Sequence, residues 1–362
     1  MLHILRSSLH TEICDLPFRL PESFVNAHQV VAVLSGGAEA QFLQLVEQKK
    51  IDLGQPIYLM VSGHSNSLAA ALEILSFIRN NKGIGKIMQN AEDTAIPSGS
   101  EWPAVVVAPS AAVLKSERPL RLGVVGAPSD WLISSHVDYA AVLRMMNIEL
   151  VDIPLDELLA LGEVDPGMQG AEAVYQKLKE IVVSNRLDGV TLRCFDLLST
   201  VKNTGCIALS KLNDEGIPAA CEGDVPTLLT MMVCKRLTGE LCFQVNPARI
   251  QADGQILFAH CTLPLGMTEK HEYTTHFESG IGVAIHGDLP TGDYTLVKLS
   301  RDMKRMLAVD VQLTRCQFEQ NLCRTQVWIQ ATPAVSSYFL TDPIANHHVI
   351  IRGHHADKFR QE

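Results

Sequence analysis

Ile217-Pro-Ala-Ala-Cys-Glu-Gly-Asp-Val-Pro226 is an apolar strand that stops at two carboxylates, Glu222 and Asp224, and runs straight into a helical pattern, Thr227-Leu-Leu-Thr-Met-Met-Val-Cys234. Strand, polar turn and helix in direct succession are one step of an open α/β sheet, where ligands bind beyond the carboxyl ends of the strands. The glycine between the two acids lets the backbone bend without a Cβ clash, so both carboxylates can face one ligand. Such a pair suits acid–base work or a hard divalent cation. A helix cap at Asp224, with Pro226 close behind, accounts for one of the two acids and leaves the other over.

Working outward, Leu120-Arg-Leu-Gly-Val-Val-Gly126 opens the unit to which this strand belongs. Strands are expected at 120–126, 147–153, 187–194 and 217–221, with helices near 130–146, 170–184, 205–214 and 225–236. This alternation is that of a doubly wound parallel sheet. Three strand ends carry polar residues: Asp130 and Trp131 after the first, Arg193 and Asp196 after the third, Glu222 and Asp224 after the fourth. In such a sheet they open on one side.

A smaller α/β unit precedes it. Gln29-Val-Val-Ala-Val-Leu34 and Pro56-Ile-Tyr-Leu-Met-Val61 are apolar on both faces and are followed by helical patterns, which implies a parallel sheet covered on both sides. Gly36-Gly37 at the head of the first helix can cradle an anion or simply make a tight turn. Pro97-Ser-Gly-Ser-Glu-Trp-Pro103 reads as a linker. Beyond residue 240 the rhythm changes to short alternating strands at 241–246, 255–262, 279–286, 293–300, 306–313 and 325–331, the pattern of an antiparallel barrel or sandwich. The expected domains are therefore 1–115, 116–238 and 239–362.

The 362 residues suit two or three domains. With 47% hydrophobic and 19% charged residues, the chain has material for well-filled cores. The net charge of −10, with no basic stripe, argues against nucleic acid. No apolar run reaches the length of a membrane helix and the first residues lack a secretory pattern, so a cytoplasmic location and no membrane partner are expected. Nine cysteines without a Cys-x-x-Cys pair fit neither a zinc knuckle nor a disulfide framework.

Histidines bunch in the last third: His260, His271, His276, and then His347, His348, His354 and His355 around Val349-Ile-Ile351. Imidazole together with carboxylates is a plausible set for a divalent metal such as manganese. A satisfied core histidine is the competing reading of His347.

Ala345-Asn-His-His-Val-Ile-Ile-Arg-Gly-His-His-Ala-Asp357 resembles a segment of the L-fucose isomerase family. Cys221-Glu-Gly-Asp224, His276-Phe-Glu-Ser-Gly280 with Gly287-Asp-Leu-Pro-Thr-Gly292, and Asn66-Ser-Leu-Ala-Ala-Ala-Leu-Glu73 resemble others, in the family's order. The resemblance implies two Rossmann-like domains followed by a β-barrel domain, an aldose–ketose isomerase, a homo-oligomer, and manganese held by a Glu, an Asp and a His. Asp224 and His347 match the last two. Where the family has its Glu, this chain has Cys206, so Glu222 or Asp196 is expected as third ligand and as the acid–base group acting through an enediol. Arg193 and Asp130 are expected to hold substrate hydroxyls or an anion, and Trp131 to stack on a sugar face. The missing Glu keeps open a sugar-binding scaffold without catalysis, and a metal-dependent lyase or epimerase on another polyhydroxylated substrate.

Overall fold

The computed structural model of the chain describes residues 1–10, 12–13, 15–95 and 103–360. The expected linker thus lies, but for Pro103, outside the described residues. Strands β1 (Leu2–Leu5), β2 (Gln29–Val33), β3 (Ile57–Val61) and β4 (Gly85–Met88) form a parallel sheet in chain order. β5 (Val106–Val107) is a two-residue strand that leaves this unit. A second parallel sheet comprises β6 (Leu120–Val125), β7 (Ile148–Ile153), β8 (Gly189–Leu192) and β9 (Ala219–Cys221), in the order β7-β6-β8-β9. The reversal of strand order at β6 is a topological switch point, with a crevice at the carboxyl ends.

The last third is antiparallel. It holds β10 (Phe243–Ile250), β11 (Gln255–His260), β12 (Lys270–Thr274), β13 (Ala284–Asp288), β14 (Gly292–Leu299), β15 (Met306–Gln317), β16 (Thr325–Gln330) and β17 (His348–Arg352). Six of these close into a barrel in the order β14-β17-β10-β11-β16-β15 and back to β14, with β5 added against β15. The expected α/β architecture, two parallel sheets and a C-terminal antiparallel barrel, is what the chain adopts.

Two details differ. The helix expected at 130–146 is Tyr139–Met146, because Asp138 accepts the N–H of Ala140 and starts the helix there. Residues 128–135 are left as a loop over the site. The segment expected at 279–286 is β13, which pairs with β12 in a separate hairpin instead of joining the barrel.

Two buried helices join the layers. Ser67–Asn80 buries Leu68, Leu72, Ile74, Leu75 and Ile78 between the first sheet and the barrel, in a core that includes Val245, Ile256 and Phe258. Val225–Thr238 packs its apolar residues against Val297, Leu299, Val349 and Ile351 of the barrel. A helix that is apolar all round belongs between layers rather than on a surface. The starts of both helices, the end of β9 and one end of the barrel meet in one place. Among the described residues, no helix is long and apolar enough to cross a membrane.

Candidate active site

The turn after β9 sets the geometry. Glu222 and Gly223 both have left-handed backbones, with φ of 64° and 68°. A Cβ on Gly223 would come within 2.4 Å of the Ala127 carbonyl oxygen, so only glycine lets this turn lie against the loop after β6. Ser129 N donates to the Glu222 carbonyl at 3.1 Å and locks the two loops together. A non-glycine residue in this conformation is costly, and such strain clusters at functional sites. Here it turns the Glu222 side chain toward the barrel.

Glu222 Oε2 accepts a 2.6 Å hydrogen bond from the Trp131 indole. Its Oε1 lies 3.3 Å from His347 Nε2 and 4.0 Å from His260 Nε2. His260 ends β11 and His347 immediately precedes β17, strands that both flank β10 at the same end of the barrel. Both imidazoles are buried. His347 Nε2 has no hydrogen-bond partner, although it is shut away from solvent. A buried ring nitrogen facing a carboxylate and a second imidazole matches a site for a divalent cation with mixed nitrogen and oxygen ligands.

Asp224 stands behind this group. Its Oδ1 accepts the N–H of Thr227 at 2.7 Å, capping the helix Val225–Thr238. Its Oδ2 accepts from His347 Nδ1 at 2.8 Å, and the buried Lys298 ammonium lies 3.9 Å away. Both carboxylate oxygens are thus engaged, in the carboxylate–histidine arrangement that fixes the tautomer and orientation of a metal-binding imidazole.

Charge follows from this packing. Burial opposes a charge on His347, yet Glu222 and Asp224 on either side raise its pKa to about 10. Burial likewise opposes the Asp224 carboxylate, and Lys298 with His347 hold it below the usual range. Glu222 is kept ionised against burial by His347, His260 and Trp131. His260, by contrast, is driven down to about 4 by burial and by the charge on His347, so it offers a neutral ring.

The remaining sequence candidates sit elsewhere. Arg193 Nε binds Asp196 at 2.8 Å, while its Nη atoms bind the Pro128 carbonyl at 2.7 Å and Asp130 at 3.1–3.2 Å. This network clamps the loops after β6 and β8, and none of its three side chains lines the cavity described below. Trp131 lies at the cavity, edge-on to Phe195 at 4.9 Å, with its N–H directed at Glu222. Cys206 opens the helix Cys206–Asp214, buried and hydrogen-bonded to Cys261 in an apolar cluster with Cys323 and Trp328. No acid replaces it there. The Cys221 thiol lies within 4.8 Å of ligand atoms of Glu222 and His260, but it contacts the Cys194 thiol at 3.1 Å and is held protonated by that contact and by burial. Of the bunched histidines, His348 is a satisfied core residue, bonded to the Asn346 carbonyl and to Tyr338.

A cavity of about 370 Å³ opens in front of Glu222, between the first sheet, the loop after β6 and the barrel. Its lining includes Glu39, Asn66, Asn246, Glu278 and Asn346, together with Trp131. Sequence reading singled out none of the first five as site residues. Asn66, Glu278 and Asn346 lie in segments that resemble the L-fucose isomerase family, and an acid or amide in such a segment is the available signal.

Fold and site together define an α/β-plus-barrel protein with a buried carboxylate–histidine centre beside a cavity lined by acids, amides and aromatic rings. No family model matches the chain. A sulfoquinovose isomerase of Clostridium sp. (strain MSTE9) is 31% identical over 90 residues, which is 24% of this chain and 20% of that protein. Another, from Alkalicoccus urumqiensis, is 25% identical over 108 residues, 29% of this chain and 24% of that protein. The match thus spans no more than about a quarter of either relative. Part of this chain is accordingly similar to sugar isomerases. A solved macrolide-efflux protein from Streptococcus pneumoniae aligns with 97% of this chain and 89% of that one at 9% identity, with a TM-score of 0.14, too low to indicate a shared fold.

Proposed function

We propose that the chain is a divalent-metal-dependent aldose–ketose isomerase acting on an open-chain sugar, as the resemblance to the L-fucose isomerase family implies. The observation that carries this reading is the buried Nε2 of His347, which makes no hydrogen bond and faces the Glu222 carboxylate at 3.3 Å, beside His260 and at the edge of a cavity. Glu222, His347 and His260 would hold the cation, manganese by the resemblance, with Asp224 orienting His347 from behind. When bound, such an ion polarises a carbonyl and acidifies the adjacent C–H and O–H.

The chain's own residues then have definite tasks. Glu222, fixed at Oε2 by Trp131, is placed to take the proton from C2 and return it to C1. Asn246 and Asn346 are bonded to each other through Asn346 Nδ2 at 2.9 Å, which leaves Asn346 Oδ1 free for a substrate hydroxyl. Trp131 and Phe195 close the apolar side of the cavity and keep water from the reacting carbons.

The test is ketose formation from a panel of aldoses with manganese present. Conversion by the unaltered protein, reduced by about a thousandfold or more in Glu222→Gln, is expected for a residue that moves the proton. A second reading, a sugar-binding scaffold without catalysis, is favoured by Cys206 at the position of the family's Glu; sugar binding without conversion would establish it.

A further inference from the structure

The cavity is also lined by Glu39, Asn66 and Glu278, a wall that the isomerase reading leaves unused. Glu39 begins the helix Glu39–Glu47 after the Gly36-Gly37 turn, and its side chain is buried with Oε2 lacking any partner. Gly36 is needed here, since a Cβ would meet that of Asn66 at 2.9 Å. Asn66 occupies the N-cap position of the helix Ser67–Asn80, yet its side chain makes no cap. It reaches across 212 residues of sequence to donate to Glu278 Oε1 at 2.7 Å, and its own Oδ1 is left without a partner. His10 Nε2 on the same wall is buried and equally unpartnered. Buried polar atoms are rarely orphaned in a native structure unless something absent from it satisfies them.

Charge narrows what that is. Among the described residues no Lys or Arg lines the cavity, whereas three carboxyl groups do, Glu39, Glu222 and Glu278. Burial, with Glu222 adding to it, pushes Glu278 up to about 7. Burial pushes Glu39 well above its ordinary value, and Glu73, Glu222 and Glu278 add to the effect. The wall offers unused acceptors, and among the described residues lining it the His10 imidazole is the one group able to carry positive charge.

We propose that Glu39, Asn66 and Glu278 form a second subsite, for the end of the substrate remote from Glu222 and His347, that takes hydroxyl or ammonium groups and rejects anionic sugars. Above about pH 7, where Glu278 ionises, a sulfonate or phosphate there would face its buried carboxylate with no Lys or Arg to pair with, a like-charge juxtaposition that discriminates strongly. Hydroxyls donate to Glu39 Oε2 and Asn66 Oδ1, and an ammonium group adds a charge-assisted bond to either acid. The subsite thus assigns a neutral or amino sugar to this chain, in contrast to the sulfonated sugar named for its partial relatives. Placing the far end of the sugar there rests on the isomerase reading, which puts C1 and C2 at Glu222.

The experiment is calorimetric titration of the full chain at pH 8, with manganese present, using gluco-, manno- and galacto-hexoses as parent sugars and as their 6-amino, 6-sulfonate and 6-phosphate forms. In at least one series the parent and the amino form are expected to bind, and the anionic forms roughly a hundredfold more weakly. In Glu39→Gln, and separately in Glu278→Gln, the gap between ammonium and anion should shrink roughly tenfold. That change in selectivity would not follow from a merely structural defect. Anionic forms binding as tightly as the parent, a gap unaltered in both variants, or no sugar binding at all would overturn the subsite. Ketose formation is read separately: the expected charge preference without conversion would sink the isomerase reading and leave the subsite standing.

Discussion

Glu222, His347 and Asp224 form a chain of contacts in which each residue settles the state of the next. Asp224 caps a helix with one oxygen and steers His347 with the other. Asp224→Asn keeps the shape and loses the charge behind the imidazole, so manganese affinity should drop by roughly tenfold to a hundredfold, as for other outer partners of metal-bound histidine. His260→Ala removes a proposed direct donor and should cost more than Asp224→Asn. Titration of the metal into both variants measures the order, and the reverse order would place Asp224 in the inner shell instead. His347 and His348 show how little composition says at this scale. They are neighbours in sequence, yet one meets Glu222 and Asp224 and the other bonds Tyr338 in the core, since successive residues of an extended chain point to opposite faces.

Buried polar clamps decide how the layers meet. Glu73, in the middle of the helix Ser67–Asn80, accepts the N–H of Ser134 at 2.9 Å and that of Asn346 at 3.0 Å, and also the Ser135 hydroxyl. One carboxylate thereby fastens the first unit to the loop after β6 and to the segment carrying His347. Glu73→Ala should destabilise the fold by about 3 kcal/mol, because two buried N–H groups lose their acceptor. The shift in denaturant midpoint checks this, and a loss below about 0.5 kcal/mol would mean that the clamp is replaced by water. Gly223→Ala is expected to be at least as disruptive to the site, since both its φ and the 2.4 Å approach to the Ala127 carbonyl exclude a side chain. The strand-end carboxylates were legible in sequence because an apolar run that stops at charged residues before a helix has few other readings. In sequence Arg193, Asp130 and Asp196 are separate polar residues at two strand ends; that their charges satisfy one another is visible only in their spatial arrangement.

Across the whole molecule, the order of the sheets and the barrel followed from hydrophobic period, which changes from continuous apolar runs to alternation near residue 240. What the sequence concealed is the second wall of the cavity. Glu39, Asn66 and Glu278 are ordinary residues in ordinary local settings, and only the packing of the first sheet on the barrel makes them neighbours. Their burial has a measurable consequence for the entire fold. Glu278 is raised from 4.5 to about 7, so the folded chain binds more protons than the unfolded chain between those values. Stability is therefore greatest below pH 4.5 as far as this group is concerned, and is lost as pH rises toward 7, by at most about 3 kcal/mol. His347, raised from 6.5 to about 10, continues the loss above pH 6.5 in the metal-free protein. His260 and His348, lowered to about 4 and about 3, oppose this slope up to pH 6.5, so the Glu278 contribution is read as a difference: Glu278→Gln should gain stability relative to the unaltered metal-free protein as pH rises from 5 to 8. A difference between the two proteins that does not change with pH would show that the acid is solvated.

The central claim is that Glu222 and His347 share one metal ion. Calorimetric titration of manganese into chelator-treated protein, beside His347→Ala and Glu222→Gln, tests it directly. Near-stoichiometric binding to the unaltered chain, abolished in the first variant and weakened by at least about tenfold in the second, is the predicted result. No binding, or binding indifferent to both substitutions, would contradict it and leave a sugar-binding scaffold as the better account of the fold.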